Sequence, residues 1–297
     1  MNKGINVLSL FDGISCGQIA LQRAGIKVDK YFASEIDKHA IKVTQHNWPN
    51  TIQLGDVTKW REWNIEWESI DLLCAGFPCQ AWSVAGKQQG TNDPRGALAI
   101  TLFELFTFLK EKNPKLKFLF ENVKMKKEYS DYLNNLFGAE FIEINSALVS
   151  AQNRKRLYWT NIENVTPPTD KGILLKDIIE SGIVDKLKSY CIDASYWRNS
   201  NLFGYLKKSR GTLVFDKISN LTRFRGYNRE ELLSPEKRAE LCYRKLNQNE
   251  LEKLQTLPLK YTSVLSHNLA SHAIGNGWTV DVIAHIFSFL PQEFKNG

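Results

Sequence analysis

Short apolar segments alternate with helical segments over the first half of the chain, and this alternation limits the possible folds more than any other feature. Each apolar segment has the length and side chains of a buried strand, whereas the segments between them, most clearly 97–109 and 124–137, repeat apolar residues at helical spacing. Strands that alternate with helices predict an α/β fold with a doubly wound, Rossmann-like, mostly parallel sheet. The predicted strands are Ile5–Leu10, Tyr31–Ser34, Ile52–Leu54, Ile70–Ala75 and Lys117–Phe120, followed by a hairpin of Phe141–Val149 and Arg156–Ile162.

A basic, aromatic and irregular region begins after Thr166-Pro167-Pro168-Thr169. Between Lys186 and Arg229 there are ten Lys or Arg and only two Asp, in a chain of 297 residues with a net charge of +7. A charge run often only solvates a surface, but interleaved aromatic side chains favour a nucleic-acid surface. We therefore predict a first domain over 1–168, a smaller, irregular nucleic-acid-binding domain over 169–262, and a C-terminal segment, 263–297, that completes the first domain.

Two sequence patterns in the C-terminal part of the chain, and the cysteines, allow further predictions about helices and metal sites. Asn247 and Glu250 have the spacing of a capping box at a helix start, and an amphipathic helix is expected over 280–290. The five cysteines show no C-x-x-C pair and no Cys/His metal spacing, so no metal site is expected. No apolar run reaches about 18 residues and no targeting peptide is apparent, which predicts a cytoplasmic protein without a membrane span.

Three predicted strand ends carry residues suited to an adenosine group. The turn from Phe11 to Gly17 joins the first strand to a helix, where glycines allow close approach of a ligand and free N–H groups face it. Glu35 ends the second strand, where a carboxylate binds ribose hydroxyls, and Asp56 follows the third, where it can accept from an adenine amine. A glycine turn alone is more often structural, but the three together favour an adenosine site. A nicotinamide cofactor is the generic alternative, and its full G-x-G-x-x-G pattern is absent.

A cysteine, a carboxylate and two arginines predict chemistry on a pyrimidine ring. The loop of residues 76–83 follows the fourth strand and carries Cys79, whose thiolate can attack carbon once nearby positive charge lowers its pKa. Glu121 lies at the end of the fifth strand, and Arg154 and Arg156 follow it. In the alternative interpretation the cysteine is a buried small hydrophobe, the glutamate caps a helix and the arginines contact phosphate. The polar neighbours of the cysteine favour the catalytic interpretation.

Taken in order, seven motifs resemble those of the cytosine-C5 DNA methyltransferases, chiefly of the bacterial and phage type. They are Phe11-Asp12-Gly13, Glu35, Asp56, Pro78-Cys79-Gln80, Glu121-Asn122-Val123, Gln152 to Arg156 and Gly275-Asn276. The resemblance implies a methyltransferase fold with a target-recognition domain, and transfer of a methyl group from S-adenosylmethionine to C5 of a cytosine flipped out of double-stranded DNA. S-adenosylhomocysteine would be the product, and a cognate restriction endonuclease is a further candidate partner.

This interpretation assigns a role to individual residues. Cys79 would add to C6 of the base, Glu121 would hold N3 and the exocyclic amine, Arg156 would grip O2, and Arg154 would orient Glu121 or a phosphate. The implied cofactor residues are Phe11, Asp12, Gly13, Ser15, Gly17, Glu35, Ile36, Asp56, Val57, Pro78, Asn276 and Trp278. The expected DNA contacts come from the segment after Cys79, which would close over the base, and from a reading loop over 223–227: Gln80, Ser83, Lys87, Gln88, Arg95, Arg223 and Arg225.

Two departures and three alternatives accompany the resemblance. Ser15-Cys16 stands where the family commonly has a Gly pair, and Trp278 stands where many bacterial members have a smaller aliphatic residue, as in the animal de novo methyltransferases. A transfer-RNA cytosine methyltransferase shares these motifs, but the associated Cys-Phe-Thr tripeptide is absent. A catalytically silent DNA-binding regulator would not need intact Cys79, Glu121 and Arg156. A nucleotide-dependent oxidoreductase has no use for the Pro-Cys-Gln loop.

Overall fold

The computed structural model divides into two compact units. The first contains 1–144, 155–168 and 280–297, and the second contains 145–154 and 169–279. This division differs from the expected segments in two places, because 145–154 belongs to the second unit and the last boundary follows Thr279 instead of residue 262. The structure describes residues 4–78, 97–202, 204–205, 210–228, 230–231, 234, 236 and 241–295.

The first unit is built on a seven-stranded sheet. Its strands are β1 (Ile5–Leu10), β2 (Val28–Ser34), β3 (Ile52–Gln53), β4 (Ile70–Gly76), β5 (Lys117–Val123), β6 (Ile142–Asn145) and β7 (Lys155–Thr160). Their order is β3-β2-β1-β4-β5-β7-β6, with parallel pairing from β3 through β5 and antiparallel pairing of β7 with β5. The predicted doubly wound, mostly parallel sheet is confirmed. The strand order reverses between β1 and β4, and ligands bind at such a switch point in open α/β sheets.

Helices join the strands and cover them. In the part of the chain that the structure describes, the α-helices are α1 (Cys16–Arg23), α2 (Lys38–Asn47), α3 (Ala97–Lys112), α4 (Lys127–Phe137), α5 (Tyr196–Asn199), α6 (Ile218–Gly226), α7 (Gln248–Leu254), α8 (His267–Asn276), α9 (Val280–Phe287) and α10 (Gln292–Lys295). Every residue of β1 is buried, which is why the central strands are continuous apolar runs without alternation. No helix in the part of the chain that the structure describes is long and apolar enough to cross a membrane.

The register of the sheet brings the carboxyl ends of four strands to one edge. Leu10 of β1 is paired with Ser34 on one side and with Ala75 on the other. Gly76, the last residue of β4, is paired with Glu121 of β5. The residues that follow β1, β2 and β4, together with the last residues of β5, therefore share the edge where a doubly wound sheet binds its ligands.

The second unit has its own small core and, among its described residues, two short strands, β8 (Val214–Phe215) and β9 (Tyr243–Arg244). An aromatic and aliphatic cluster packs around them, formed by Leu202, Tyr205, Leu213, Phe215, Leu221, Phe224 and Leu241. The predicted capping box at α7 is confirmed, because Asn247 accepts from the Glu250 N–H at 2.9 Å and the Glu250 carboxylate accepts from the Asn247 N–H at 2.8 Å. The helix is shorter than the segment 246–257 that its periodicity indicates.

Candidate active site

The turn that follows β1 holds three of its first five residues in the left-handed region of backbone space. Phe11, Gly13 and Ser15 have φ values of 55°, 58° and 56°. A side chain at Gly13 would meet no atom within 4 Å, so the glycine is needed for its backbone angle and leaves open space above the turn. Left-handed conformations at Phe11 and Ser15 cost about 1–2 kcal/mol each, and such strain concentrates at ligand sites. This local geometry fits a ligand-binding turn.

The Asp12 residue stabilises this turn through hydrogen bonds. Its carboxylate accepts a hydrogen bond from the Tyr31 hydroxyl at 2.8 Å and a second from the Ser15 hydroxyl, and its N–H donates to the Ser34 carbonyl at 3.2 Å. Burial raises the pKa of Asp12 to about 6, while the hydrogen bonds from its hydroxyl neighbours oppose that rise. Because both carboxylate oxygens bond to the protein, this geometry favours a supporting role for Asp12 over direct contact with a cofactor.

Glu35 ties the turn to the end of β2. Its Oε2 accepts from the Gly13 N–H at 2.8 Å, and its Oε1 accepts from the N–H groups of Ile36 and Asp37 at 2.7 and 2.8 Å. A carboxylate can accept about four hydrogen bonds, so a half-exposed Glu35 retains acceptor capacity for a ligand's hydroxyl groups. Next to it, the apolar side chain of Ile36 is 75% exposed. The pair offers an anionic acceptor beside an uncovered apolar surface, which matches a ribose joined to a flat base.

Asp56 stands at the end of the neighbouring strand, β3. Its Oδ1 caps the 3-10 helix Val57–Glu62 by accepting from the backbone N–H and the hydroxyl of Thr58, each at 2.9 Å. These two hydrogen bonds lower the pKa of Asp56, so the group is a carboxylate at neutral pH. The Val57 side chain is 5% exposed and Gly17 is buried, so any cofactor contact at those two positions comes from the backbone. The open turn and the two carboxylates on adjacent strands fit an adenosine-bearing cofactor.

Asn122 fixes the path of the chain as it leaves β4. Its side chain is 1% exposed and donates from Nδ2 to the carbonyl of Phe77 at 3.1 Å, while its Oδ1 accepts from the Val123 N–H at 2.8 Å. Phe77 itself is buried, and Pro78 is the last residue before a segment that is not described. The predicted site residues outside the described part of the chain are Cys79, Gln80, Ser83, Lys87, Gln88 and Arg95.

Glu121 and Arg156 form an ion pair at the ligand edge of the sheet. Glu121 is opposite Tyr158 in the register of β5 and β7, so Arg156, two residues before Tyr158, is its diagonal neighbour on the same face. The Arg156 Nε lies 2.9 Å from Glu121 Oε1, and the two side chains are 13% and 11% exposed. The arginine also donates from Nη1 to the carbonyl of Lys155 at 2.9 Å. The structure therefore places an oriented, nearly buried carboxylate beside Gly76, three residues before Cys79.

Arg154 does not orient Glu121, contrary to the sequence expectation. Its side chain is 4% exposed and belongs to the second unit. The guanidinium donates to the carbonyls of Ile192 at 2.7 Å and Gly277 at 2.9 Å, with a longer contact to Gly275 at 3.4 Å. Arg154 precedes β7, which begins at Lys155, so the alternation of side chains along that strand does not place it on the same face as Arg156. The first arginine is thus a buried cross-link, and the second is the one that contacts Glu121.

A buried amide network that sequence reasoning missed ties 145–154 to 255–279. Gln255 is fully buried and accepts at Oε1 from Gln152 at 2.8 Å and from the Thr279 hydroxyl at 2.7 Å. Its Nε2 donates to the carbonyls of Ile274 and Gly277 at 3.0 and 2.9 Å. In the sequence, the one indication of this role is that the polar residue Gln255 occurs within an apolar helical repeat. The network explains why these two segments belong to the second unit.

The predicted cofactor residues Asn276 and Trp278 flank Gly277 in that network. Gly275 allows close packing there, because a Cβ at this position would lie 2.3 Å from the backbone carbon and oxygen of Asp193. Asn276 contacts His272 through Nδ2 and Nε2 at 3.3 Å. Both residues belong to the second unit, and their contact with a cofactor stays a prediction.

The predicted reading loop over 223–227 is mostly helical. Arg223 and Arg225 lie in the last two turns of α6, which ends at Gly226. The glycine and the mixed polar pattern indicated a loop, but Leu221 and Phe224 are buried in the small core and hold the segment as a helix. Packing therefore overrides the weak local preference. Both arginines are exposed.

Comparison with known proteins gives consistent results at the level of family and fold. The family profile described as C-5 cytosine-specific DNA methylase matches residues 5–291. The chain is 31% identical to the type II methyltransferase M1.ScrFI of Lactococcus lactis subsp. cremoris, over 93% of this chain and 75% of that protein. It is 36% identical to the orphan methyltransferase M.SPRI of Bacillus phage SPR, over 60% of this chain and 43% of that protein. A crystal structure of a Spodoptera frugiperda DNMT2 triple mutant shares the fold, with a TM-score of 0.68, 20% identity, and coverage of 96% of this chain and 99% of that one.

Proposed function

The chain belongs to the C-5 cytosine-specific DNA methylase family, and on that premise we propose that it methylates DNA through a covalent bond between Cys79 and the target cytosine. The Glu121–Arg156 ion pair carries this proposal, because it holds a nearly buried carboxylate at the sheet edge where the Cys79 segment begins. Cytosine C5 is a poor nucleophile, so the ring must first gain electron density. A thiolate that adds to C6 supplies it and makes C5 enamine-like.

Each residue of the pair has a distinct task at the base. Glu121 contacts N3 and the exocyclic amine, which lowers the cost of negative charge in the ring. Arg156 keeps this carboxylate oriented, and a guanidinium with five N–H donors can hold both a carboxylate and the O2 oxygen of the base. Asn122 holds the Phe77 carbonyl and so positions the start of the catalytic segment. After the methyl group has bonded to C5, loss of the C5 proton restores the double bond and expels the thiolate. The ring faces are stacked in a duplex, so the base must be flipped out.

The methyl donor that fits the strand ends is S-adenosylmethionine, which supplies an electrophilic methyl group on a sulfonium when bound. Phe11 and Ile36 would cover the adenine, Glu35 would accept from the ribose hydroxyls and Asp56 from the adenine amine. Gly13 leaves the space above the turn open. Asn276 would hold the methionine end, and Trp278 would lie beside it. The second unit would bind double-stranded DNA.

The cellular setting follows from the relatives in outline only. One is named a type II methyltransferase and another an orphan phage methyltransferase. The relatives therefore support an enzyme that acts with a cognate endonuclease and, equally, one that acts without it. We propose that the enzyme acts on DNA in the cytoplasm of a bacterium or a phage-infected cell. A cognate endonuclease stays a prediction.

A DNA duplex in which every cytosine carries fluorine at C5 should trap the enzyme. Fluorine cannot leave C5 as a proton does, so the bond between the Cys79 sulfur and C6 persists after methylation. We expect an adduct that withstands denaturing electrophoresis, with the peptide containing Cys79 joined to DNA in the mass spectrum. Cys79→Ser should form no adduct, whereas Cys242→Ser, at an exposed cysteine of the second unit, should form it as the wild type does. An adduct on another cysteine, or methylation without an adduct, would contradict the proposed nucleophile.

Glu35→Ala should weaken S-adenosylhomocysteine binding about 10- to 100-fold, because hydrogen bonds to a charged group contribute about 1.5–3 kcal/mol. The measurement is a calorimetric titration with this product, alongside duplex binding by fluorescence anisotropy. Glu62→Ala removes an exposed carboxylate from the same unit and should leave both constants unchanged. A variant at position 35 that loses duplex affinity but keeps product affinity would remove Glu35 from the cofactor site.

A further inference from the structure

Helix α6 presents an exposed face that its own unit does not cover. Among the nine residues of this helix, Leu221, Phe224 and Asn220 are buried. The exposed positions include Ile218, whose apolar side chain is 63% exposed. The exposed residues of the helix also include Ser219, Thr222, Arg223 and Arg225, and Lys217, immediately before the helix, is exposed as well.

The buried side of α6 is firmly anchored, so the exposed side has a defined direction. Phe224 packs on Phe215, with ring centroids 5.0 Å apart, and on Tyr205 at 5.8 Å. Asn220 donates to the carboxylate of Asp216, one turn earlier. A helix held on one side by its core offers its other side as a rigid surface, which is the property a recognition element needs.

The exposed residues divide into a centre and two shoulders. Successive residues are about 100° apart around a helix axis. Ser219 and Thr222 therefore face away from the buried side. Arg223 and Arg225 lie on opposite shoulders, about 160° apart by the same rotation, and Ile218 lies on the same shoulder as Arg225. In the part of the chain that the structure describes, no carboxylate pairs with either arginine.

This arrangement matches the major groove of a DNA duplex. The groove is about 12 Å wide and admits one helix, so shoulders of opposite direction face the two phosphate backbones. Arginines at these positions would neutralise phosphates and so strengthen binding. Such contacts position the helix but carry little sequence information. The central residues face the base edges, where the methyl group of Thr222 suits a thymine methyl and the hydroxyls of Ser219 and Thr222 suit polar edges.

We propose that α6 is the element that reads the DNA sequence, with Ser219 and Thr222 on the base edges and Arg223 and Arg225 on the two phosphate backbones. This inference rests on the proposed function and adds to it which surface selects the target site.

The test compares single substitutions in cells that lack other cytosine methylation. Genomic DNA from cells expressing the wild type defines the methylated sequence by bisulfite sequencing, and duplexes of that sequence then serve for kinetics and binding. Thr222→Ala and Ser219→Ala should each relax the methylated sequence at one position, with discrimination falling about 5- to 150-fold there. Arg223→Ala and Arg225→Ala should keep the sequence but weaken duplex binding, each lowering the slope of log affinity against log salt by about 0.9.

The controls separate this inference from the proposed function. Lys176→Ala removes one exposed cation from the same unit and should change neither the sequence nor the salt slope. Unmethylated genomic DNA with the wild type would overturn the proposed function itself. If the wild type methylates DNA, an unchanged sequence in Thr222→Ala and Ser219→Ala, with an unchanged salt slope in both arginine variants, would overturn only the role of α6. Methyl transfer to transfer RNA instead of duplex DNA would also overturn it.

Discussion

Glu121→Gln is expected to lower the rate of methyl transfer by about 10²- to 10⁴-fold, the usual contribution of a positioned acid–base group. The glutamine keeps the volume of the side chain and a neutral hydrogen bond to Arg156, but it cannot take up or release a proton at N3. The Glu121 and Arg156 side chains are only 11% and 13% exposed, so water replaces the lost interaction poorly. The measurement is single-turnover transfer of a labelled methyl group to duplex DNA, with duplex affinity expected to stay within about twofold because exposed phosphate contacts are unchanged.

A matched carboxylate gives the control for this prediction. Glu143 on β6 pairs with Lys124 at 3.1 Å and with Lys155 at 3.6 Å, and its side chain is 32% exposed. Glu143→Gln therefore removes a similar charge from a strand of the same unit, where the carboxylate pairs with lysines and not with Arg156. It should leave the transfer rate nearly unchanged. Equal rates for the wild type and Glu121→Gln would exclude Glu121 from the chemistry.

Arg154→Met should act mainly on stability and Arg156→Met mainly on the rate of methyl transfer, although the two residues are only two positions apart in the sequence. Arg154→Met should lower the free energy of unfolding by about 2–4 kcal/mol, because two bonds from a buried guanidinium to backbone carbonyls are lost at about 1.5–3 kcal/mol each. Removing a buried charge offsets part of that loss. Arg156→Met should slow methyl transfer because Glu121 loses its orientation, and it should also lower the free energy of unfolding because the nearly buried Glu121 carboxylate loses its partner.

Urea unfolding and methyl-transfer rates distinguish these effects. Arg154→Lys is a useful intermediate, because one ammonium group cannot span the carbonyls of Ile192 and Gly277 as the guanidinium does. A stable but inactive Arg154→Met protein would return Arg154 to the catalytic role that the sequence suggested. Full activity of Arg156→Met would separate the ion pair from catalysis.

The two arginines illustrate what sequence patterns cannot resolve. The segment 152–156 indicated two cations near a carboxylate, and alternation along a continuous strand would place residues 154 and 156 on the same face. Arg154 differs because it precedes β7, which begins at Lys155. Which of them meets Glu121 depends on the register of β7 against β5, a pairing between distant segments. Asn122 and Gln255 show the same limit, because the partners of each are carbonyls from distant parts of the chain.

The sequence by itself determined the central sheet and its ligand edge. Each buried strand is an apolar run that needs no distant partner to be recognised, and turn residues mark where the strands end. The motifs also identified the family, because their side chains are those the chemistry requires. Only the tertiary structure decided that Asp12 supports the turn, that Arg154 is a cross-link, that 223–226 is helical, and that the segments 145–154 and 263–279 belong to the second unit. These features depend on burial and on hydrogen bonds across long sequence separations, which local spacing does not encode.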